Sequence, residues 1–332
     1  MAKDPGRVRT ERGAALISAM LIVSIMAVVS VSLLETVRFA SRLSINLEAR
    51  EQAQLYAVGA EELAAGSVKA AWVPGQERQP ALEAWIQRPF FFPINGGSLQ
   101  GEARDGANCF NLNSLAMTVE GANRLSNPAM IAEFTRLLTL LGVPASEATA
   151  IATANADWID SDAVAGFSGA EDDYYGALEI PYRTAGGPMA DPSEIKRIRG
   201  MTTALYGQVR PFLCTRPTLD PSVLNINTLK DWQAPLLAAV LGEGVEAVDA
   251  FRILEERPVS GFLEQSLIYE LPLIADLDLD ALTKERLGLR SRFVDLGVQV
   301  SYQGVFLDMI SSLQISDTGD ITTVSRRYGS EE

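Results

Sequence analysis

The densest chemistry-bearing stretch of the chain reads Asp157-Trp158-Ile159-Asp160-Ser161-Asp162, then Gly169-Ala170-Glu171-Asp172-Asp173. Six carboxylates fall within 17 residues, with no Lys or Arg among them. Packing that much like charge into one segment is unfavourable unless a cation or water screens it. Hard oxygen ligands match calcium, which takes about six to eight of them at about 2.3–2.6 Å. Asp160, Asp162 and Glu171 occupy loop positions one, three and twelve of an EF-hand, but Val164 and Ala165 at five and six break that pattern. A solvated acidic loop is the alternative. Magnesium- or manganese-assisted catalysis is a third reading, but no glycine-rich loop that could cradle a phosphate accompanies it. Trp158, Tyr174 and Tyr175 read as packing groups. A second acidic run, Asp276-Leu277-Asp278-Leu279-Asp280, has Leu287 where a bidentate Glu would stand and reads as an exposed turn or helix start.

Other chemistry is scarce. The 332 residues contain no histidine, which removes Ser-His and Cys-His nucleophiles and histidine-ligated zinc. Two cysteines cannot build a four-cysteine zinc or iron-sulfur site. With 28 basic and 42 acidic residues the formal charge is −14, which disfavours a phosphate backbone as partner. In an exported, oxidising compartment Cys109 and Cys214 are expected to form a disulfide, with two buried free thiols as the alternative.

The elements that must hold this loop begin with the N-terminus. Residues 1–13 carry four basic and two acidic side chains, and Ala14–Leu34 runs 21 residues without a charge, Pro or Gly. At ~1.5 Å per residue that spans a ~30 Å hydrocarbon core. The basic leader argues for a cytoplasmic N-terminus and an exported bulk. No Gly or Pro occurs from Ala14 to Val58, so one helix is expected to leave the bilayer and run to about residue 70, with Phe39, Leu43 and Leu47 along one stripe. Short apolar clusters with Asn-Gly and Asp-Gly turns over 71–115, and alternating Val/Leu/Ile over 285–325 with a break near Gly304, read as strands of one sheet. The helical block 116–284 lies between them as an insertion. No repeat is visible along the chain.

The junction at Gly13 adds a more specific reading. A short basic leader ends in glycine and the apolar run starts at Ala14. This resembles the signal of type IV pilins and type II secretion pseudopilins, in which a prepilin peptidase cuts after the glycine and methylates the new N-terminus. Carried over, Gly13 precedes the cut and Ala14 becomes the first residue. Position five of the processed chain is Ser18, where most of these proteins have Glu. A buried membrane carboxylate costs about 2.5–3.5 kcal/mol unless a partner meets it; in the pilins that partner is the preceding subunit's amine. A subunit lacking the carboxylate suits the first place in a filament.

Ala156–Asp162 with Gly169–Tyr175, FNLNSL at Phe110–Leu115 and LNINTL at Leu224–Leu229 together resemble the general secretion pathway protein K family, along essentially the whole chain. The resemblance implies an α+β pseudopilin fold: a long N-terminal transmembrane helix on a small antiparallel sheet, with a large all-helical domain inserted between strands. It implies calcium held by Asp160, Asp162, Glu171, Asp172 and Asp173, with Asp157 less secure. It also implies a non-enzymatic place at the tip of a periplasmic pseudopilus, anchored in the bacterial inner membrane. The implied partners are the minor pseudopilins I and J (and H), the major pseudopilin, the prepilin peptidase and the inner-membrane secretion platform.

Two readings compete. Leu224–Glu264 also resembles the helix-hairpin-helix of membrane-anchored, competence-type DNA receptors, but it carries three basic against seven acidic residues, opposing phosphate binding. A membrane-anchored enzyme would need paired carboxylates or a Ser-Lys dyad, and so dense an acidic group suits a cation better.

Overall fold

The computed structural model describes residues 7–86, 88–119 and 123–329, with side chains from Ala14 onward. Residues 1–6 of the expected leader lie outside the described residues. Contacts divide the chain into two compact units: 7–59 with 92–99 and 299–307, and 60–91 with 100–298 and 308–329.

Helix α1 runs Arg7–Ala71, 65 residues, with no break at the Gly13–Ala14 junction. Every side chain from Ala14 to Glu48 is exposed. Beyond that, Ala49, Ala53, Ala57, Ala60, Ala64 and Val68 are buried at three- to four-residue spacing, so the helix becomes one-sided where the folded part begins. In the first unit Tyr56 packs on Tyr302, with ring centroids 5.5 Å apart. In the second, Glu61 is buried and accepts hydrogen bonds from Ser311 Oγ, Thr323 Oγ1 (2.8 Å) and Arg326 Nε (2.9 Å) and Nη2 (2.6 Å). A short helix α2, Pro80–Ile86, follows.

The strands are β1 Phe90–Ile94, β2 Gly97–Asp105, β3 Phe110–Asn111, β4 Ala116–Thr118, β5 Arg124–Ser126, β6 Leu213–Cys214, β7 Leu224–Asn225, β8 Leu287–Gly288, β9 Phe293–Tyr302, β10 Val305–Ile315 and β11 Ile321–Tyr328. Five form the main sheet in the order β1-β2-β9-β10-β11, with β10 and β11 antiparallel. The expected pairing of early with late strands is therefore present. Gln303 and Gly304 join β9 to β10 at φ 47° and 84°, both left-handed, the pattern of a two-residue primed turn. At Gly97 a Cβ would lie 1.8 Å from the Ser301 carbonyl oxygen, so only glycine fits there.

The block between β2 and β9 is not all-helical as expected, because the short strand pairs β3–β6, β4–β5 and β7–β8 tie its long connections together; its helices are α3 Pro128–Leu140, α4 Ala145–Ile159, α5 Asp172–Gly176, α6 Thr203–Val209, α7 Ala234–Leu241 and α8 Ala247–Glu255, then short helices at Ser266–Tyr269, Pro272–Ala275 and Ala281–Glu285. Asn127 caps α3 by accepting from Met130 N (3.4 Å), with Pro128 in the first turn, and Gly142 at φ 92° follows its end. Helix α3 packs on α4 and α7, and α7 on α8. The core of this block reaches further toward the N-terminus than residue 116. Phe110, Leu112 and Leu115 are fully buried in the same cluster as Phe134, Ile151 and Leu237.

FNLNSL and LNINTL play parallel roles; both spell Asn-x-Asn-Ser/Thr-Leu, a short recurrence in a chain where no repeat was expected. Each opens with a two-residue parallel bridge, β3 with β6 and β7 with β8. Each then spends its asparagines on loop backbone: Asn113 bonds both N–H and C=O of Met189, and Asn227 both N–H and C=O of Phe262. Buried amides with full hydrogen bonding fix long connections that carry no regular structure. Cys109, next to β3, and Cys214, in β6, are disulfide-bonded, with Cα atoms 5.8 Å apart and a sequence separation of 105.

Candidate functional site

Helix α4 brings the acidic segment out of the core. Ala148, Ile151, Ala152, Ala154, Ala156 and Ile159 are all fully buried. The helix ends at Asp160, whose extended backbone starts the loop. Asp157, on the last turn, is 1% exposed and turns its carboxylate onto the returning loop. It accepts from Gly166 N at 3.2 Å and Ala170 N at 2.8 Å. A Cβ on Gly169 would lie 1.9 Å from Asp157 Oδ2, so the loop closes this tightly only with glycine there. Asp157 is thereby the organiser of the loop.

Among the described residues, Asp160, Asp162 and Glu171 bring one carboxylate oxygen each within 4.8 Å of the others. Asp160 and Glu171 are buried and Asp162 is exposed, so the group opens to solvent on one side. Asp160 Oδ2 accepts from Ser126 Oγ at 2.8 Å, and Asp162 Oδ1 from Val164 N at 2.8 Å. Asp160 Oδ1 and Glu171 Oε1 are buried and have no hydrogen-bond partner. Buried acceptors are almost always satisfied. Two orphaned carboxylate oxygens converging with a third carboxylate fit a hard cation, and oxygen-only donors fit calcium.

Asp172 and Asp173 fall outside this group of three. Asp172, at the start of α5, accepts from Thr184 N at 2.9 Å and Thr184 Oγ1 at 3.0 Å, and Asp173 is exposed. Sequence reasoning passed over Ser126, which lies on β5 and carries no signal in the linear pattern. Trp158 and Tyr175 pack as expected, edge to face with centroids 5.4 Å apart, while Tyr174 carries the Arg199 guanidinium over its ring at 4.9 Å.

The electrostatics record the crowding. Burial, then the charges of Asp162 and Asp157, push the Asp160 carboxyl up to about 6, against the pull of Ser126. Burial, then Asp160 and Asp157, push Glu171 up to about 7. Their unfolded values are 3.8 and 4.5. From about pH 4.5 to 7 the cation-free native state therefore binds more protons than the unfolded chain, and its stability falls as pH rises through that window. In chelator, the melting temperature is expected to drop between pH 5 and pH 7.5. A flat or rising profile there would contradict the geometry of the three carboxylates.

Ser18 lies on α1, exposed, with Oγ donating to the Ala14 carbonyl at 3.0 Å, the usual back-bond of a helical serine. The helix-hairpin-helix shape is present at α7–α8, with Gly242 and Gly244 at φ 97° and 86°. Its hairpin carries Glu243 and Glu246, and no basic residue occurs from 234 to 251. Arg136 already donates to the carbonyls of Ala238 (3.2 Å) and Val245 (2.7 Å). This leaves a packing element, without the basic surface a phosphate backbone needs.

Two family models match the chain: the first-domain model of type II secretion system protein K over residues 108–218, and the protein K model over 224–290. The acidic loop lies within the first. Type II secretion system protein K of Pectobacterium carotovorum subsp. carotovorum is 32% identical, over 96% of this chain and 97% of the relative. The Aeromonas hydrophila protein K is 34% identical, over 82% of this chain and 85% of the relative. Among solved structures, a chain of the GspK–GspI–GspJ complex from enterotoxigenic Escherichia coli superposes with a TM-score of 0.74 at 28% identity, covering 87% of this chain and 99% of that one. With a long apolar helix, a small sheet, an inserted helical block and relatives aligned along nearly its whole length, the chain belongs to the type II secretion system protein K family.

Proposed function

We propose that the chain is a non-enzymatic minor pseudopilin that starts or caps the pseudopilus of the type II secretion system. Prepilin peptidase cuts it after Gly13 and the Ala14 amine is methylated. The processed protein stays anchored by 14–34 in the inner membrane, with the rest in the periplasm. Its helix then packs lengthwise against two other minor pseudopilins of the I and J type, the assembly named for the similar solved complex.

The observation that carries this reading is α1 itself. It offers an exposed apolar span and then a helix embedded by one face in a folded head. Ser18 gives a subunit beneath it in the membrane no carboxylate to meet, which suits the chain to the first place in the filament, with growth from below. Calcium at Asp160, Asp162 and Glu171 holds the 157–173 loop closed. When bound, the ion supplies charge neutralisation and oxygen cross-linking, and it takes part in no reaction step. Ser126 orients Asp160, and Asp157 holds the loop backbone.

The test co-expresses the full chain with its I- and J-type partners and purifies it in detergent with calcium. A stoichiometric complex containing the chain is expected, and Ser18→Glu is expected to move the protein from the filament end into the shaft. Recovery of the chain alone, or uniform shaft location of the wild type, would refute the tip assignment.

A further inference from the structure

After α5 the chain runs through residues 177–191 with neither helix nor strand. Structureless stretches of this length are uncommon in compact folds unless they serve a function. No residue from Gly176 to Pro188 is fully buried, so apolar packing contributes little to holding this stretch in place. One ring and a few hydrogen bonds hold it instead. Tyr182 stacks on Tyr175 with centroids 5.2 Å apart, and its hydroxyl donates to the Arg197 carbonyl at 2.7 Å.

The remaining fasteners share a feature. Gly186 N donates to the Trp158 carbonyl at 3.1 Å, and the Gly186 carbonyl accepts from Arg124 Nη2 at 2.5 Å. Arg124 Nε also donates to the Ile159 carbonyl at 3.3 Å. Thr184 donates to Asp172 through both its backbone N–H and its hydroxyl. Each of these partners adjoins a group of the three-carboxylate site. Asp172 follows Glu171, Trp158 and Ile159 immediately precede Asp160, and Arg124 shares β5 with Ser126, which donates to Asp160. The stretch is thus fastened to the backbone and neighbours of the carboxylates, and to little else.

We propose that residues 177–188 form a strap that calcium fastens: the ion holds Asp160, Asp162 and Glu171 together, their neighbours hold the strap, and loss of the ion frees it. Without the ion, ionised carboxylates within 4.8 Å of one another repel, and the repulsion spreads the segments to which Thr184 and Gly186 are tied. The Arg183 side chain is 87% exposed. Exposure alone does not make the bond after Arg183 a substrate, because a protease needs free backbone on both sides of the cut. Tyr182, Thr184 and Gly186 deny it that freedom while they stay fastened, and cleavage then follows the population of the opened form. A copy of the chain without calcium is thereby open to proteolysis in the exported compartment, and a loaded copy is shielded. The strap rests on the calcium reading given above, and the test separates the two.

The experiment is limited trypsin digestion of the full chain in detergent micelles, with calcium or with chelator. Mass spectrometry follows the cut after Arg183, a small peptide substrate in the same tube gives the reference rate, and melting temperatures are read on the same samples. Calcium at about 100 times its dissociation constant is expected to slow this cut at least about tenfold, and at most about hundredfold. Arg124→Ala, which removes the link between the Ile159 and Gly186 carbonyls, is expected to restore cutting in calcium by about tenfold while calcium still raises its melting temperature. Thr184→Val, a milder change on the strap itself, is expected to speed the cut about threefold and replaces Arg124→Ala if that variant does not fold. Equal cutting with and without calcium, in a chain whose melting temperature calcium raises, would overturn the strap and leave the calcium reading standing. Full protection of both variants in calcium would also overturn it. A melting temperature that calcium leaves unchanged would overturn the calcium reading and the strap with it.

Discussion

With calcium in excess, Asp160→Asn is expected to erase the response of the protein to chelator. A ligand present at about 100 to 1,000 times its dissociation constant stabilises the state that binds it by about 3–4 kcal/mol. For a folded region of this size, that shifts the melting temperature by roughly 10 °C. Asp160 contributes a buried oxygen with no other partner, so losing its charge removes the ion's main inner contact. The variant keeps the side-chain shape and an acceptor for Ser126 Oγ. The same substitution relieves like-charge crowding with Asp157 and Asp162, so in chelator the variant should melt no lower than the wild type. Calorimetry of the full chain with and without chelator reads both arms. A variant that still lost about 10 °C on chelation would show that the stabilising ion, if any, is held elsewhere.

The second large effect is expected at Glu61→Ala, about 3 kcal/mol of lost stability. Glu61 is 1% exposed on a helix whose other buried side chains are alanines and Val68, and Arg326, Ser311 and Thr323 all donate to it. Removing it strands these donors, and Arg326 faces its former partner with no compensating charge. Because Arg326 is about one-third exposed, water recovers part of the loss, which places the effect near the lower end for buried pairs. Burial raises the Glu61 carboxyl, but the hydrogen bonds of Arg326, Ser311 and Thr323 outweigh it and leave the group below its usual 4.5. Its contribution is therefore complete above pH 4.5 and fades only as pH falls further. Urea denaturation at pH 7 measures the difference. A change within about 0.5 kcal/mol, the range of an ordinary surface substitution, would refute the role.

Glu61 also marks a limit of sequence reading. It is followed by Glu62 in a helix that also carries Glu48 and Glu51, and nothing in the linear pattern separates the buried one from the others. Its three donors lie some 250 or more residues away. Likewise, Ser126 reaches Asp160 from a strand 34 residues earlier, and Arg216 reaches Asp295 across 79 residues. Partnerships of this kind leave no local periodicity.

The sequence by itself determined what depends on neighbours along the chain. An uninterrupted apolar run makes a helix, because no Gly or Pro breaks its hydrogen bonding and no charge opposes the bilayer. Gly304 placed the break between β9 and β10, because left-handed backbone selects glycine. The carboxylate density at 157–173 singled out that segment, because so much like charge in one place needs a cation or water to screen it. Tertiary structure alone decided which carboxylates converge. Asp160, Asp162 and Glu171 meet because Asp157 gathers the loop backbone and Gly169 leaves room for it, while Thr184 draws Asp172 aside. It also decided that FNLNSL belongs to the core of the inserted block. That outcome rests on contacts between segments about a hundred residues apart, whose energies depend on distance in space and not on order in the chain.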